Sequence, residues 1–123
     1  MVSKNISASV IAIGSELSTG KIQDCHGKYS SSVLSEMGFE VDSIVLVPDN
    51  NNIRHFIDIR INEIDLLIIT GGLGPTSDDI TRDLIAAASG KKLTFDNAIW
   101  ESLKKHFPGK NNESRKQQAF IPE

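Results

Sequence analysis

Leu66-Leu67-Ile68-Ile69-Thr70-Gly71-Gly72-Leu73-Gly74-Pro75-Thr76-Ser77-Asp78-Asp79-Ile80-Thr81 is the stretch on which the fold turns. Its first part, Leu66 to Thr70, is the most hydrophobic run of the chain and is too short for a helix. It predicts a strand buried on both faces, the central strand of a parallel sheet. Three glycines within four residues follow, and then Ile80, Leu84, Ile85 and Ala88 recur at helical spacing. They predict a helix from Asp78 or Asp79 to about Ser89, ended by Gly90.

Working outward toward the amino terminus, Asn51 to Glu63 places Ile53, Phe56, Ile57 and Ile61 on one helical face, after a break at Pro48-Asp49-Asn50. Phe39 to Val47 reads as a strand. A helix from about Cys25 to Met37 sets Tyr29, Val33, Leu34 and Met37 on one face, with Asp24 as its cap and Gly38 as its stop. Gly14 to Gly20 reads as a loop with one extended turn, and Ile6 to Ile13 as the buried first strand. Toward the carboxyl terminus, Lys92 to Phe95 is a weak strand and Asp96 to His106 an amphipathic helix. Phe107 to Arg115, with Pro108, Gly109, Asn111 and Asn112, reads as an exposed loop, and Lys116 to Glu123 stops without a following strand. The alternation of strand and helix predicts an α/β fold, three-layer α/β/α, with a mostly parallel sheet joined by right-handed crossovers.

The 123 residues fit one domain, large enough for a core without disulfides. A formal charge of −3 gives no electrostatic footprint for nucleic acid or an anionic membrane, so any anion must be bound locally. The single cysteine, Cys25, excludes an intramolecular disulfide and suits a reducing compartment. It reads as a helix residue or, alternatively, as a nucleophile without an evident base. The opening apolar run is too short for a signal peptide or a membrane span, and the expected location is the cytoplasm.

The glycine segment is the place for an anion. Glycines let the backbone turn with its N–H groups outward, a helix start adds unpaired N–H groups, and ligands of open α/β sheets collect at the carboxyl ends of strands. A purely structural turn between strand and helix stands as the other reading. Thr76 and Thr81 offer hydroxyl donors, although Thr76 or Ser77 can equally cap the helix. The segment is neither a P-loop nor a dinucleotide fingerprint. Asp78 and Asp79 read either as charges favoured at a helix start or as ligands to Mg²⁺, which takes one or two carboxylates together with substrate phosphates. Asp49 follows the second strand and Glu16 the first, so both are expected on the same edge of the sheet, the acids sharing one crevice. His26, His55 and His106 have no metal-binding spacing. Trp100 reads as core.

On Gly14-Ser15-Glu16-Leu17 with Gly20, Val47-Pro48-Asp49-Asn50, Gly71-Gly72-Leu73-Gly74-Pro75-Thr76 with Asp78-Asp79-Ile80-Thr81, and Lys116-Gln117-Gln118-Ala119 with Pro122, the chain resembles the molybdopterin-binding-like domain family. Within it the chain is most similar to the amino-terminal domain of CinA-like (competence/damage-inducible) proteins. Leu73 followed by Gly74-Pro75-Thr76 and the paired acids look like that branch, whereas molybdopterin adenylyltransferases usually carry Thr in place of Leu73. A related domain occurs in eukaryotic FAD synthases. His26 departs from the family's usual Asn, and the family's last strand and downstream domains have no counterpart in the chain.

The resemblance implies that Asp49 and Asp79 are catalytic and face a divalent metal, Mg²⁺ or Co²⁺. It implies too that Gly14, Glu16, Gly71, Gly72, Gly74, Thr76 and Thr81 line or shape the phosphate site. No organic cofactor is called for. The implied reaction is hydrolysis of ADP-ribose or a similar nucleotide pyrophosphate. The alternatives are molybdopterin and nucleotide binding with adenylyl transfer in molybdenum cofactor biosynthesis, and a binding module without catalysis. A small nucleotide or pterin ligand and homo-oligomerisation are the expected partners.

Overall fold

The computed structural model describes residues 4–109 and 113–123, so Asn111 and Asn112 of the expected loop lie outside the described residues. The chain falls into two compact units, Met1–Gly71 and Gly72–Glu123, and each is described by itself.

In the first unit, strands β1 (Ser7–Ile13), β2 (Glu40–Val47) and β3 (Leu66–Thr70) form a parallel sheet in the order β2-β1-β3. Helices α1 (Ser15–Ser18), α2 (His26–Glu36) and α3 (Asn52–Arg60) connect them. The architecture is α/β with a parallel sheet, as the alternation of patterns predicted. The central strand, however, is β1 and not β3. Strand β1 is paired on both sides, to β2 from Ser7 through Ile13 and to β3 from Ala8 through Ala12. Its residues Ala8 to Ala12 are fully buried, whereas every residue of β3 is only half-buried. Total hydrophobicity misplaced the centre because β1 carries small residues, Ala8, Ser9 and Ala12, where close packing leaves no room for large ones.

Ala8 and Val10 of β1 form a core with Leu34 of α2, against which Phe39, Val41, Leu66 and Ile68 pack. Helix α3 lies against β1 and buries Ile53 and Ile57. Two residues expected on the inner face of α2 are elsewhere: Tyr29 and Met37 are 73% and 67% exposed. A β-bulge interrupts the β1–β2 register, with Ala8 opposite Val41 and Ser9 opposite Ser43. The residue skipped is Asp42, and Arg60 Nη1 donates to its Oδ2 at 2.9 Å. The buried Ser9 hydroxyl lies 2.8 Å from Ser43 Oγ and also donates to the Ser43 carbonyl, so its polar atom is satisfied inside the sheet.

In the second unit, helix α4 (Thr81–Ala88) lies against both strands of a short antiparallel pair, β4 (Leu93–Phe95) and β5 (Phe120–Pro122). Helix α5 (Asn97–His106) starts at Asp96, whose side chain accepts from Ile99 N as an N-cap should. Helix α6 (Glu113–Lys116) and a 3₁₀ turn at Gln117–Ala119 precede β5. The tail departs from expectation once and holds one element that was not foreseen. A helical turn begins inside the stretch read as loop, and Phe120–Pro122 does form a strand, with Phe120 and Phe95 rings meeting edge to face at 5.3 Å. Among the described residues no helix is long and apolar enough to cross a membrane.

Candidate functional site

The first loop is held by the strand beyond it. Gly14 N donates to the Val47 carbonyl at 2.9 Å, carrying the β1–β2 pairing past the end of the strand. The chain then turns into α1, a helical turn where an extended one was expected. Its start is clamped reciprocally: Ser15 N donates to Asp49 Oδ2 at 3.0 Å, and Asp49 N donates to Ser15 Oγ at 3.1 Å. The structure thus brings together Gly14, Glu16 and Asp49 as expected, and it adds Ser15, which the sequence reading quoted without a role. The Glu16 carboxylate folds back over Gly14. The carbonyl of Glu16 accepts from Ile22 N at 3.1 Å, which ties the segment leading to α2 onto the same loop. Asp24 caps α2 as predicted, its Oδ1 accepting from Gly27 N at 3.0 Å.

Beside these groups, at the carboxyl ends of β1 and β3, lies a cavity of about 330 Å³ lined by Ile13, Glu16, Leu17, Ile22, Asp24 and His26 among others. His26 is the first residue of α2, and Cys25 before it is an exposed free thiol.

At the end of β3 the backbone takes φ of +90° at Gly71 and +67° at Gly72, a region other residues rarely adopt. An added Cβ at Gly71 would also collide with the Ile13 carbonyl oxygen, so the position admits only glycine on two counts.

In the second unit the segment after Gly72 closes on itself. Asp79 Oδ2 accepts from Thr76 N at 2.9 Å and from Thr76 Oγ1 at 2.7 Å. A side chain at Gly74 would occupy the place of that carboxylate. Helix α4 begins at Thr81, with Ile80 at the capping position and no side-chain cap. Neither Asp78 nor Asp79 is therefore a helix-start charge, and neither Thr76 nor Ser77 is the cap. The local Thr76–Asp79 turn consumes these groups first. Thr81 is 1% exposed, and its amide donates to the Gly72 carbonyl at 3.3 Å, so it shapes the loop instead of offering a hydroxyl outward.

Two residues without a place in the sequence reading of this site hold the loop from its carbonyl side. Arg82 donates through Nη1 to the Leu73 carbonyl and through Nη2 to the Gly74 carbonyl, at 3.0 and 3.4 Å. Gln118 Nε2 also donates to the Leu73 carbonyl, at 3.1 Å. Their partners are backbone atoms, so no side-chain pattern announces them. Burial would raise the Asp79 pKa. The Thr76 hydroxyl and amide, the Gly74 amide and the Arg82 charge outweigh it and hold the carboxyl below its usual range.

Among the described residues no group of three or more histidines, cysteines and carboxylates is arranged to hold a metal ion. A closed zinc-type cage is thus not formed by them. Asp49 in the first unit and Asp79 in the second each accept hydrogen bonds through Oδ2.

Residues 9–119 match a protein-family model described as "Probable molybdopterin binding domain". The chain is 40% identical over 120 residues to a CinA-like protein of Fervidobacterium nodosum, covering 94% of this chain and 29% of that one. It is 38% identical to a protein named as competence-damage inducible in Caldicellulosiruptor saccharolyticus, with the same two coverages. The chain thus spans under a third of the length of these relatives. Among solved structures, CinA of Thermoplasma acidophilum, described as of unknown function, superposes with a TM-score of 0.88 at 29% identity, over 98% of this chain and 72% of that one. The tungsten cofactor synthesizing protein MoaB of Pyrococcus furiosus shares the fold at a TM-score of 0.61 and 24% identity, over 85% of this chain and 66% of that one.

Proposed function

The chain belongs to the molybdopterin-binding domain family and is CinA-like within it, and from that premise we propose that it hydrolyses a nucleotide pyrophosphate such as ADP-ribose with the help of a divalent metal. The observation that carries this reading is the state of Asp79. Its carboxylate is fixed by Thr76 within the glycine segment and kept ionised. An ionised carboxylate repels a phosphate approaching the same loop, unless a cation accompanies the phosphate.

Asp79, whose carboxylate Thr76 fixes, is the residue of the glycine segment that would hold such a metal. When bound, the metal supplies charge neutralisation at the phosphates and an acidified water. The chain's own residues do the rest. Arg82 and Gln118 hold the Leu73 and Gly74 carbonyls and so fix the course of the loop. Asp79, ionised and rotationally fixed, can orient a water for attack on phosphorus. Attack forms a P–O bond, breaks the bridging P–O bond, and releases AMP and ribose 5-phosphate.

The test is incubation of the chain with ADP-ribose and Mg²⁺ or Co²⁺, following AMP. Release of AMP that Asp79→Ala abolishes is the expected result. Turnover no greater than that of the variant overturns the proposal. In that event, calorimetric binding of molybdopterin and ATP would point to cofactor biosynthesis, and nucleotide binding alone to a non-catalytic module.

A further inference from the structure

We propose that Arg82 is a positioning residue for Asp79, and that it acts through the rigid Leu73–Gly74 peptide group between them. The proposal rests on the hydrolytic reading given above, in which Asp79 is the working carboxylate. All of the groups concerned belong to the second unit.

The geometry is a chain of three links. From the first turn of α4, Arg82 Nη1 donates to the Leu73 carbonyl at 3.0 Å, while Nη2 reaches the next carbonyl, that of Gly74, at 3.4 Å. The Leu73 carbonyl shares one peptide plane with the Gly74 N–H, and that N–H acts on the Asp79 carboxylate. Because the plane is rigid, a donor that fixes its oxygen also fixes the direction of its N–H. A cation at the oxygen end and an anion at the N–H end polarise the group in the same sense, which strengthens both contacts. Thr76 holds the same carboxylate through its amide and hydroxyl, both on Oδ2, within the local turn from Thr76 to Asp79. Arg82 supplies a second restraint, delivered from outside that turn.

Two features tie this side chain to the site and not to the fold alone. Its Nε is buried and, among the described residues, has no hydrogen-bond partner. A buried donor left unpaired costs stability, a cost that an apolar side chain of similar length would not incur. Moreover, a planar fork spans two successive carbonyls, whereas the ammonium of lysine is a single point charge. Gln118 Nε2 meets the Leu73 carbonyl as well, at 3.1 Å, but brings no charge to it.

The experiment joins steady-state kinetics of AMP release to amide NMR of the metal-free chain, for Arg82→Met, Arg82→Lys and Gln118→Ala. Arg82→Met is expected to lower kcat by about 10- to 100-fold, the scale of losing a group that orients a reacting one, with KM nearly unchanged. In the spectrum, the Gly74 amide proton should move upfield while the Thr76 amide stays in place. Gln118→Ala should move the Gly74 amide in the same direction and less far. Arg82→Lys keeps the charge and loses the fork, so it should fall between wild type and Arg82→Met in both readouts. If Arg82→Met does not fold, Arg82→Lys carries the same comparison.

The proposal is overturned if the Gly74 amide is unmoved, if Gln118→Ala moves it further than the Arg82 variants do, or if the loss falls on KM instead of kcat. It is overturned too if the Thr76 amide moves as far as that of Gly74, which is what a general loosening of the loop produces. The hydrolytic reading fails separately. If the wild-type chain releases no AMP while the Gly74 amide alone responds, the link from Arg82 to Asp79 stands and only the hydrolysis falls. AMP release with an unmoved Gly74 amide sinks only the role of Arg82.

Discussion

Asp49 and Asp79 make nearly the same hydrogen bonds by opposite routes. Each offers Oδ2 to the backbone N–H of a hydroxyl residue, but Asp49 reaches Ser15 across 34 residues of sequence and Asp79 reaches Thr76 across three. A third acid isolates what the first tie does. Asp65, at the other end of the strands, accepts from the amide and hydroxyl of Ser7 at 2.9 Å each and donates its own amide to Ser7 Oγ at 3.2 Å. Those bonds, with Lys4 nearby, hold the Asp65 carboxyl below its usual pKa. Ser7–Asp65 and Ser15–Asp49 are thus the same reciprocal clamp, once at the start of β1 and once past its end. The long-range tie is architectural chemistry that a site can borrow, whereas the local one belongs to the loop.

The contrast can be broken first at Asp79. Asp79→Asn keeps an oxygen for Thr76 and removes the charge, so AMP release should fall by about 10²–10³ with thermal stability nearly unchanged, the scale of losing one electrostatic participant. Equal losses of activity and stability would mean that the carboxylate only supports the loop.

Gly71→Ala leaves the Thr76–Asp79 turn untouched and strains the end of β3. With a positive φ and a collision against the Ile13 carbonyl, it should destabilise by about 2–3 kcal/mol in chemical denaturation. A smaller loss would show that the backbone there relaxes.

Thr76→Val removes the hydroxyl donor to Asp79 and leaves the amide. It should lower stability by about 1–2 kcal/mol and move the Asp79 carboxyl upward in an NMR titration. The sign follows from linkage. The Asp79 pKa is depressed in the folded chain, so its contribution is present above the ordinary carboxylate pKa and is lost as pH falls through the lower folded value. Thr76→Val should flatten that acid limb. Smallest of all, Ser15→Ala removes only the acceptor of Asp49 N, for a loss of about 0.5–1 kcal/mol in the same denaturation assay.

The same contrast explains what could be read from the sequence. Elements with strong local signals were legible: the strands ending at Ile13, Val47 and Thr70, the helix entered through the Asp24 cap, and the glycines before Pro75 all stand where the patterns put them. Features set by distant partners were not. Strand order is invisible to hydropathy, which is why Leu66–Thr70 outranked the small-residue strand that holds the centre. Arg82 and Gln118 act on carbonyls, and β5 depends on pairing with β4, 27 residues earlier at Thr94 and Ile121. The start of α4 slipped to Thr81 because a four-residue turn captured the groups expected to open the helix.

The central position of β1 also bears on how the chain emerges during synthesis. This buried strand is made before both of its neighbours, which follow at residues 40–47 and 66–70. Residues Ala8 to Ile13 therefore keep one edge open until β2 has been made and the other until β3 has. Nascent chains shorter than about residue 70 carry an unpaired apolar edge, the kind of segment that chaperones shield and that aggregates when they do not.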